Sequence, residues 1–394
     1  MADIRTPDEA DRQSMIDLSR ISFNVPPAWV RYVGPAVRLD RFLCAYEKGR
    51  MVAMAQAWDL SQWFGGRALK MAGISAVAAV PERRDAGLAP EVVRALLRRC
   101  RERGAILSTL YPSRSAVYRR LGYEFGGILA QYRMPIADLP ATRAEGVEEM
   151  PDGELDGVRA CYRRFASRQS GLVDCDDEDW WRLRVIRRWN PDVPSRAAVV
   201  RGAGGIEGYV ALQLEALPDT WGCRLLCSHL IGSSAEGLTS ILGYLRSFRG
   251  IGQWLVWYGP PHEPLSLLAG GGGETIQSVR TVRWMMRLLD VPAALQSRGY
   301  PDVTGATTIA VKDELFPDNE GSFRIEAEGG RVTVRKVEGP GGSAIPIGAL
   351  SALFTGYASA EDLVRVGLIQ NDERSIPFLS RLFSGPTPWT TDFF

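Results

Sequence analysis

Residues 83–89, Arg-Arg-Asp-Ala-Gly-Leu-Ala, put two guanidinium groups, a glycine and the opening of a helix within seven positions. That combination suits an anion. The first backbone N–H groups of a helix have no intrahelical acceptor, and the helix dipole favours negative charge at the same end. The amides of Gly87, Leu88 and Ala89 would face such a ligand, with Arg83 and Arg84 adding formal charge. Any strand-loop-helix unit can carry a glycine and two arginines for structural reasons, so the loop has to be weighed with what surrounds it.

Other residue types bound the chemistry. The two histidines, His229 and His262, are too few for a histidine-based triad or metal centre. Of the six cysteines only Cys223 and Cys227 lie close together, with no second pair to complete a zinc site. They alternate with apolar residues, as buried thiols in a strand do, and no metal is expected. Lysine and arginine total 47 against 46 aspartates and glutamates, a net charge of +1. That balance carries no footprint for nucleic acid or an anionic membrane. Arg94, Arg98, Arg99, Arg101 and Arg103 read as the solvated face of one helix. No apolar run reaches membrane-span length, and the N-terminus lacks the apolar core of a signal peptide. Unpaired cysteines fit a reducing compartment, so a cytoplasmic location is expected.

The loop needs a strand before it and a helix after it. Met71 to Val80 supplies small and β-branched residues on both alternating faces, the pattern of a strand covered on both sides. Pro81 ends it. The helix is expected from about Pro90 to 103, with Val93, Leu96, Leu97 and Cys100 on one face. A strand at 105–111 follows, then a short helix within 112–123 that carries Tyr118 and ends at the glycine cap Gly122. Strand 124–134 closes this region. Upstream are a helix at 7–20, an irregular Pro-rich stretch at 22–29, and a hairpin of 43–46 with 51–60. Phe23 and Trp29 in the Pro-rich stretch read as core plugs or as the aromatic wall of a cleft. Tyr118 reads as a half-buried helix tyrosine or as a functional phenol.

A chain of 394 residues suggests two or three domains. Residues 137–289 show helices at 153–168 and 235–248 and an aromatic helix around Trp180–Trp189. Strands are expected at 196–201, 206–214, 223–231 and 253–258. No second arginine–glycine loop occurs, and Gly270–Gly273 reads as a turn. From 290 the pattern changes. A helix capped by Asp290 and stopped by Gly299 precedes strands at 305–313, 321–327 and 331–336, then helices at 346–354, 359–366 and 374–384. The tail Pro-Trp-Thr-Thr-Asp-Phe-Phe (388–394) is too aromatic for a solvated terminus and is expected to pack.

The pattern Arg84-x-x-Gly87-x-Ala89, between a long strand and an amphipathic helix, resembles the acyl-CoA-binding core of the GNAT (GCN5-related) N-acetyltransferases. Three further features widen the resemblance to the whole chain: Asp-Val-Pro-Ala-Ala-Leu-Gln-Ser-Arg-Gly-Tyr (290–300), Gly-Ala-Leu-Ser-Ala-Leu-Phe-Thr-Gly-Tyr (348–357), and the aromatic C-terminus. Together they look like the Eis (enhanced intracellular survival) acetyltransferases. The resemblance implies an α/β (α+β) fold of two tandem GNAT-like mixed sheets with flanking helices, plus a sterol-carrier-like α+β domain. It implies a catalytic GNAT domain at 1–136 binding acetyl-CoA, a degenerate GNAT-like domain at 137–289, and a sterol-carrier-protein-like domain at 290–394. It also implies a homohexamer.

Position by position, the resemblance implies that backbone groups of Val77 and Ala79 meet the acetyl and pantetheine portions. Arg83, Arg84, Gly87, Leu88 and Ala89 would hold the pyrophosphate, and Ser113 would contact the cofactor. Tyr118 would be the general acid and the α-carboxylate of Phe394 the general base. Phe23 and Trp29 would line the substrate side. The expected reaction is direct acetyl transfer to a primary amine of a small molecule, with aminoglycoside-like compounds as candidates. The chemistry is coherent: a phenol of pKa ~10 can protonate a leaving thiolate, and a carboxylate of pKa ~3.5 becomes a stronger base when buried. Pro90 removes an amide donor just past the loop. Ala76 leaves a wider channel. Asn24 and Phe393 stand where acids would help to bind a polycation. A different class of function is a lipid- or small-ligand-binding protein using the sterol-carrier-like domain, with a vestigial GNAT core.

Overall fold

Small and β-branched residues from Arg67 to Ala79 form the long strand at the centre of the first half of the chain. The computed structural model describes residues 2–394 except 152, 187–189, 219, 270–273, 340–341, 371 and 373. Contacts divide the chain into two compact units. The first holds residues 1–127, 283–388 and 394; the second holds 128–282 and 389–393.

In the first unit, β1 (Asp3–Arg5), β2 (Phe42–Glu47), β3 (Arg50–Phe64) and β4 (Arg67–Ala79) pair antiparallel in order. β5 (Leu107–Leu110) then joins β4 in parallel. The crossover between β4 and β5 is α3 (Leu88–Glu102), as parallel pairing requires. One face of α3 buries Val92, Val93, Leu96, Leu97 and Cys100 against Ala45, Ala53 and Ile74 of the sheet. Before the sheet come α1 (Arg12–Phe23) and α2 (Pro27–Tyr32). After β5 come α4 (Ser115–Arg119) and β6 (Glu124–Pro135), whose second half belongs to the second unit.

Strand Gln277–Leu288 crosses the other way. Its end, from Arg283, belongs to the first unit and pairs antiparallel with β5, Met285 facing Leu110 and Leu288 facing Leu107. The remainder of the first unit is a four-stranded sheet in the order Arg331–Val337, Gly321–Glu328, Gly305–Lys312, Ser343–Pro346. Helices Val291–Ser297, Ile347–Thr355, Ala360–Arg365 and Ser375–Leu382 complete it.

In the second unit, the 128–135 part of β6 pairs with Gly252–Gly259, and the sheet continues through Cys223–Gly232, Gly205–Ala216, Ser195–Gly202 and Val147–Glu149. Helices Leu155–Ala166 and Ala235–Ser247 belong to this unit. The architecture is therefore mixed α/β, with helices flanking mixed sheets.

Several local expectations change. Residues 27–32 are helical, because Pro27 occupies the first turn, where its missing N–H costs nothing. The aromatic segment is a short turn at Glu178–Trp180 followed by a wide π-type turn at Trp181–Ile186; its end at 187–189 lies outside the described residues, as does Gly270–Gly273. Strands β1, Val147–Glu149, Gln277–Leu288 and Ser343–Pro346 are additional. The helix capped by Asp290 ends at Ser297, so Gly299 does not stop it. Gly299 instead permits a close backbone approach: a Cβ there would lie 1.8 Å from the Gly65 carbonyl oxygen.

All six cysteines are buried and none forms a disulfide. Among the described residues, no three His, Cys, Asp or Glu side chains cluster in metal-binding geometry, and no helix is long and apolar enough to cross a membrane.

Candidate active site

The candidate site in the first unit is organised around β4. Its pairing with β5 ends at Ile74 and Leu110, yet β4 runs five residues further, so the two strands part there. On the other edge, the ladder with β3 slips between Met54 and Gln56. Two β4 residues, Ala76 and Val77, face one residue of β3, the arrangement of a bulge. Ala76 has φ +50°, a left-handed conformation that a residue with a Cβ adopts at a cost. The bulge takes Val77 out of the regular ladder, and Val77 and Ala79 are only half-buried.

At the end of β4 the chain turns through Pro81–Arg83 and reaches α3 through two left-handed residues, Asp85 (φ +67°) and Gly87 (φ +79°). Gly87 is the N-cap of α3, which begins at Leu88, two residues earlier than Pro90 suggested. Arg84 and Gly87 are exposed, and a Cβ on Gly87 would meet nothing within 4 Å. The helix N-terminus therefore opens onto free space. Arg83 is engaged elsewhere: its guanidinium donates to Glu47 at the end of β2, and Arg50 donates to Glu82 alongside at 3.4 Å. Both pairs are largely exposed, so their exchange for a phosphate is cheap.

Tyr118 lies on α4 and is 6 % exposed. Burial pushes its phenol up to about 12, while a hydrogen bond with the Ser113 side chain acts the other way. Ser113 is thus tied to the predicted proton donor. The Tyr118 ring packs edge-on against Tyr123, with centroids 6.1 Å apart. Tyr123 shares a 2.6 Å hydrogen bond with Ser108 of β5, and Ser108 donates to the Ala72 carbonyl of β4 at 3.0 Å. The phenol therefore rests on the two strands that part.

Phe394 is buried in the first unit. Its ring stands edge-on to Tyr111, one residue past β5, at 5.7 Å, and it covers Gly73 of β4. The last residue of the chain thus sits where β4 and β5 end their pairing. The residues just before it are anchored in the second unit. The Trp389 amide donates to Ser170, its indole donates to Gln169, and the Thr390 amide donates to Ile128. Thr391 donates to Asp392 at 2.9 Å and lies 3.2 Å from His229 Nε2. Tyr209 contacts His229 Nδ1 at 2.6 Å. Because the Thr391 proton goes to Asp392, Thr391 accepts from Nε2–H. With the imidazole neutral, Nδ1 is then the acceptor of the Tyr209 hydroxyl. The aromatic tail is packed, as its composition suggests.

The remaining candidates divide. Phe23 ends α1 and is 45 % exposed, so it is not a core plug, and Trp29 on α2 is half-buried. Asn24 is the left-handed C-cap of α1. Phe393 is 52 % exposed, with its carbonyl accepting from Arg184 at 2.8 Å. Sequence reasoning passed over Gly73, Tyr111 and the His229 anchor, and it set Tyr123 aside in favour of Tyr118 as the proton donor. The small residue in a strand at Gly73 was the one local signal available for any of these.

Family comparisons agree with this geometry. A GNAT acetyltransferase domain matches residues 3–126, a second GNAT acetyltransferase domain matches 176–288, and a sterol carrier protein domain matches 291–391. An uncharacterized N-acetyltransferase of Streptomyces avermitilis is 26 % identical over 92 % of this chain and 90 % of its own length. A GCN5-related N-acetyltransferase from Anabaena variabilis superposes over the full length of both chains with TM-score 0.92 at 23 % identity. Eis1 from Mycobacterium abscessus does so with TM-score 0.82 at 22 % identity, and these two share the fold. The open helix N-terminus beside the end of β4 and the matched domains, two GNAT acetyltransferase domains followed by a sterol carrier protein domain, make this chain a GNAT N-acetyltransferase.

Proposed function

We propose that the chain transfers an acetyl group from acetyl-CoA to the primary amine of a small molecule, by direct attack within a ternary complex. The observation that carries this reading is the coincidence of three features at one end of β4: the parting from β5 after Ile74, the bulge at Ala76–Val77, and the open N-terminus of α3. Arg84 and the amides of Gly87, Leu88 and Ala89 would bind the pyrophosphate, with Arg83 released from Glu47 to join them. Backbone groups of Val77 and Ala79 would align the pantetheine and hold the carbonyl oxygen as charge develops on it.

Tyr118 stays protonated across the physiological range, since its phenol titrates at about 12. It is then a weaker acid than a thiol of pKa ~8.5. Its role begins as a hydrogen bond to the departing sulfur, and proton transfer completes as negative charge localises there. Ser113, bonded to the same phenol, would orient it. The α-carboxylate of Phe394 would take the proton of the attacking amine. Every cysteine is buried, so none offers an acyl-enzyme nucleophile. Phe23 and Trp29 would present aromatic surface to the acceptor. Aminoglycoside-like amines lead the acceptor candidates, although Asn24 and Phe393 give less charge for a polycation than acids would. We extend the Eis resemblance to a cytoplasmic homohexamer and to a functional division at 136/137 and 289/290.

The test is a panel of aminoglycosides, polyamines and lysine peptides assayed for acetyl-CoA-dependent release of free thiol. Thermal stabilisation by acetyl-CoA is measured alongside. Saturable thiol release with at least one amine is expected. No release and no stabilisation would leave the lipid-binding reading. Against that reading stands a contact inside the C-terminal region: Phe354, Phe383 and Arg298 are buried together, with the guanidinium against both rings.

A further inference from the structure

Helix α4, which carries Tyr118, has five residues. A helix that short does not hold its own geometry in water, and its last carbonyls need outside partners. The turn that follows it is held from outside by Arg287, on the strand Gln277–Leu288 and 1 % exposed. One end of its guanidinium donates to the carbonyl of Leu121, at the close of the Tyr118 turn, and the other donates to Asp313 at 2.5 Å. The Leu121 and Tyr123 amides both return to the Tyr118 carbonyl, at 2.9 and 3.1 Å. The guanidinium thus grips a turn closed onto Tyr118 itself. Gly122 makes room for it. Its φ is +80°, and a Cβ there would fall 1.7 Å from Arg287 Nη1.

The counter-ion is fully buried and completely occupied. Asp313 also accepts the amides of Leu315 and Phe316 and the side-chain amide of Asn319, while Asn319 ties the Val291 amide and the Leu289 carbonyl. Asp313 and Asn319 come from the part of the chain that matches the sterol carrier protein domain. Two buried charges joined at one end of a five-residue helix exceed what folding that helix needs; a neutral donor would satisfy one carbonyl at lower desolvation cost.

We propose that Arg287 and Asp313 are positioning residues for Tyr118, and that the C-terminal domain takes part in acetyl transfer by supplying the counter-ion that holds Arg287 against the Tyr118 turn. The proposal rests on the reading of Tyr118 as proton donor. Its effect is on turnover. Displacing the phenol by a fraction of an ångström weakens the developing bond to sulfur, whereas the pyrophosphate loop, on a separate element, is untouched.

The test is a double-mutant cycle in the full-length protein. Arg287→Lys keeps the charge but cannot fork between Leu121 and Asp313. The paired change Arg287→Met with Asp313→Leu removes both charges without leaving either buried alone. In each, kcat is expected to fall about 10- to 100-fold, with KM for acetyl-CoA within about twofold and the melting transition still cooperative. In a Tyr118→Phe background the same changes are expected to cost little more, because a positioning residue acts through the group it positions. Unchanged kcat in the folded paired variant, or full multiplicative loss on top of Tyr118→Phe, overturns the proposal. Unchanged turnover in Tyr118→Phe alone removes the proton-donor reading, and the proposal with it.

Discussion

The ring of Phe394 stands edge-on to Tyr111, with centroids 5.7 Å apart and planes at 71°. The last residue of the chain therefore packs one residue beyond the strand β5 that ends at Leu110. The space for it is the missing side chain of Gly73. A Cβ there would approach Phe394 Cε2 to 2.9 Å and Leu60 Cδ1 to 2.8 Å. Gly73→Ala is expected to displace the Phe394 ring and lower kcat at least about tenfold, the loss of one well-oriented contact. Acetyl-CoA affinity, measured by calorimetry, should change little. Equal kcat in Gly73→Ala and wild type would separate Phe394 from the reaction. One residue appended after Phe394 should have the same effect, by burying an amide where the carboxylate was.

Tyr118→Phe is expected to lower kcat by about 10²- to 10⁴-fold, the usual worth of a positioned acid, with KM for acetyl-CoA nearly unchanged. The raised phenol also has a stability consequence. A tyrosine titrates near 10 when unfolded and Tyr118 at about 12 when folded, so the folded state holds the proton longer. Its contribution is complete below pH ~10 and is lost as pH rises from about 10 to about 12, a change of order 2–3 kcal/mol. Denaturant melts of wild type and Tyr118→Phe between pH 9 and 12 should therefore converge as pH rises. Parallel curves would mean that the phenol is not buried in solution.

Arg84→Ala is expected to raise KM for acetyl-CoA about tenfold or more, the loss of one hydrogen bond to a charged group, while kcat stays near wild type. The opposite split, kcat falling at constant KM, would remove Arg84 from the pyrophosphate site. Dephospho-CoA derivatives compared in the same assay would show which phosphate it meets.

His229→Phe leaves the hydroxyls of Tyr209 and Thr391 buried without their shared partner. The expected cost is about 1–3 kcal/mol, read from the melting transition. The wild-type tail, anchored by Trp389, Thr391 and Asp392, is expected to resist carboxypeptidase, and the variant's tail to become susceptible. A destabilised variant whose tail stays protected would show that the other anchors, at Ser170 and Ile128, hold it alone.

Local chemistry in the sequence was enough to locate the strand β4, the loop after it, the amphipathic face of α3 and the Asp290 cap. Each is written in contiguous residue types: β-branched and small residues for a doubly covered strand, glycine at a left-handed cap, apolar positions three and four apart. The same logic gave the buried thiols of Cys223 and Cys227 and a packed aromatic tail. It failed where the determining partner lies far along the chain. Phe23 read either as a core plug or as a cleft wall, and its exposure removes the first. Gly299 looked like a helix stop and serves a close approach to Gly65. Strand Gln277–Leu288 escaped notice, although its end completes the sheet beside β5.

Residues 71–89 thus set, by themselves, a strand-loop-helix with a glycine-capped helix start, because strand, turn and helix start are local properties of the backbone. Tertiary structure alone set Phe394 against Tyr111, turned Arg83 toward Glu47, raised the Tyr118 phenol by burial, and brought Arg287 and Asp313 to the Tyr118 turn. Each of those relationships joins residues through long-range packing or desolvation, and none of the four is encoded in the spacing of neighbouring residue types.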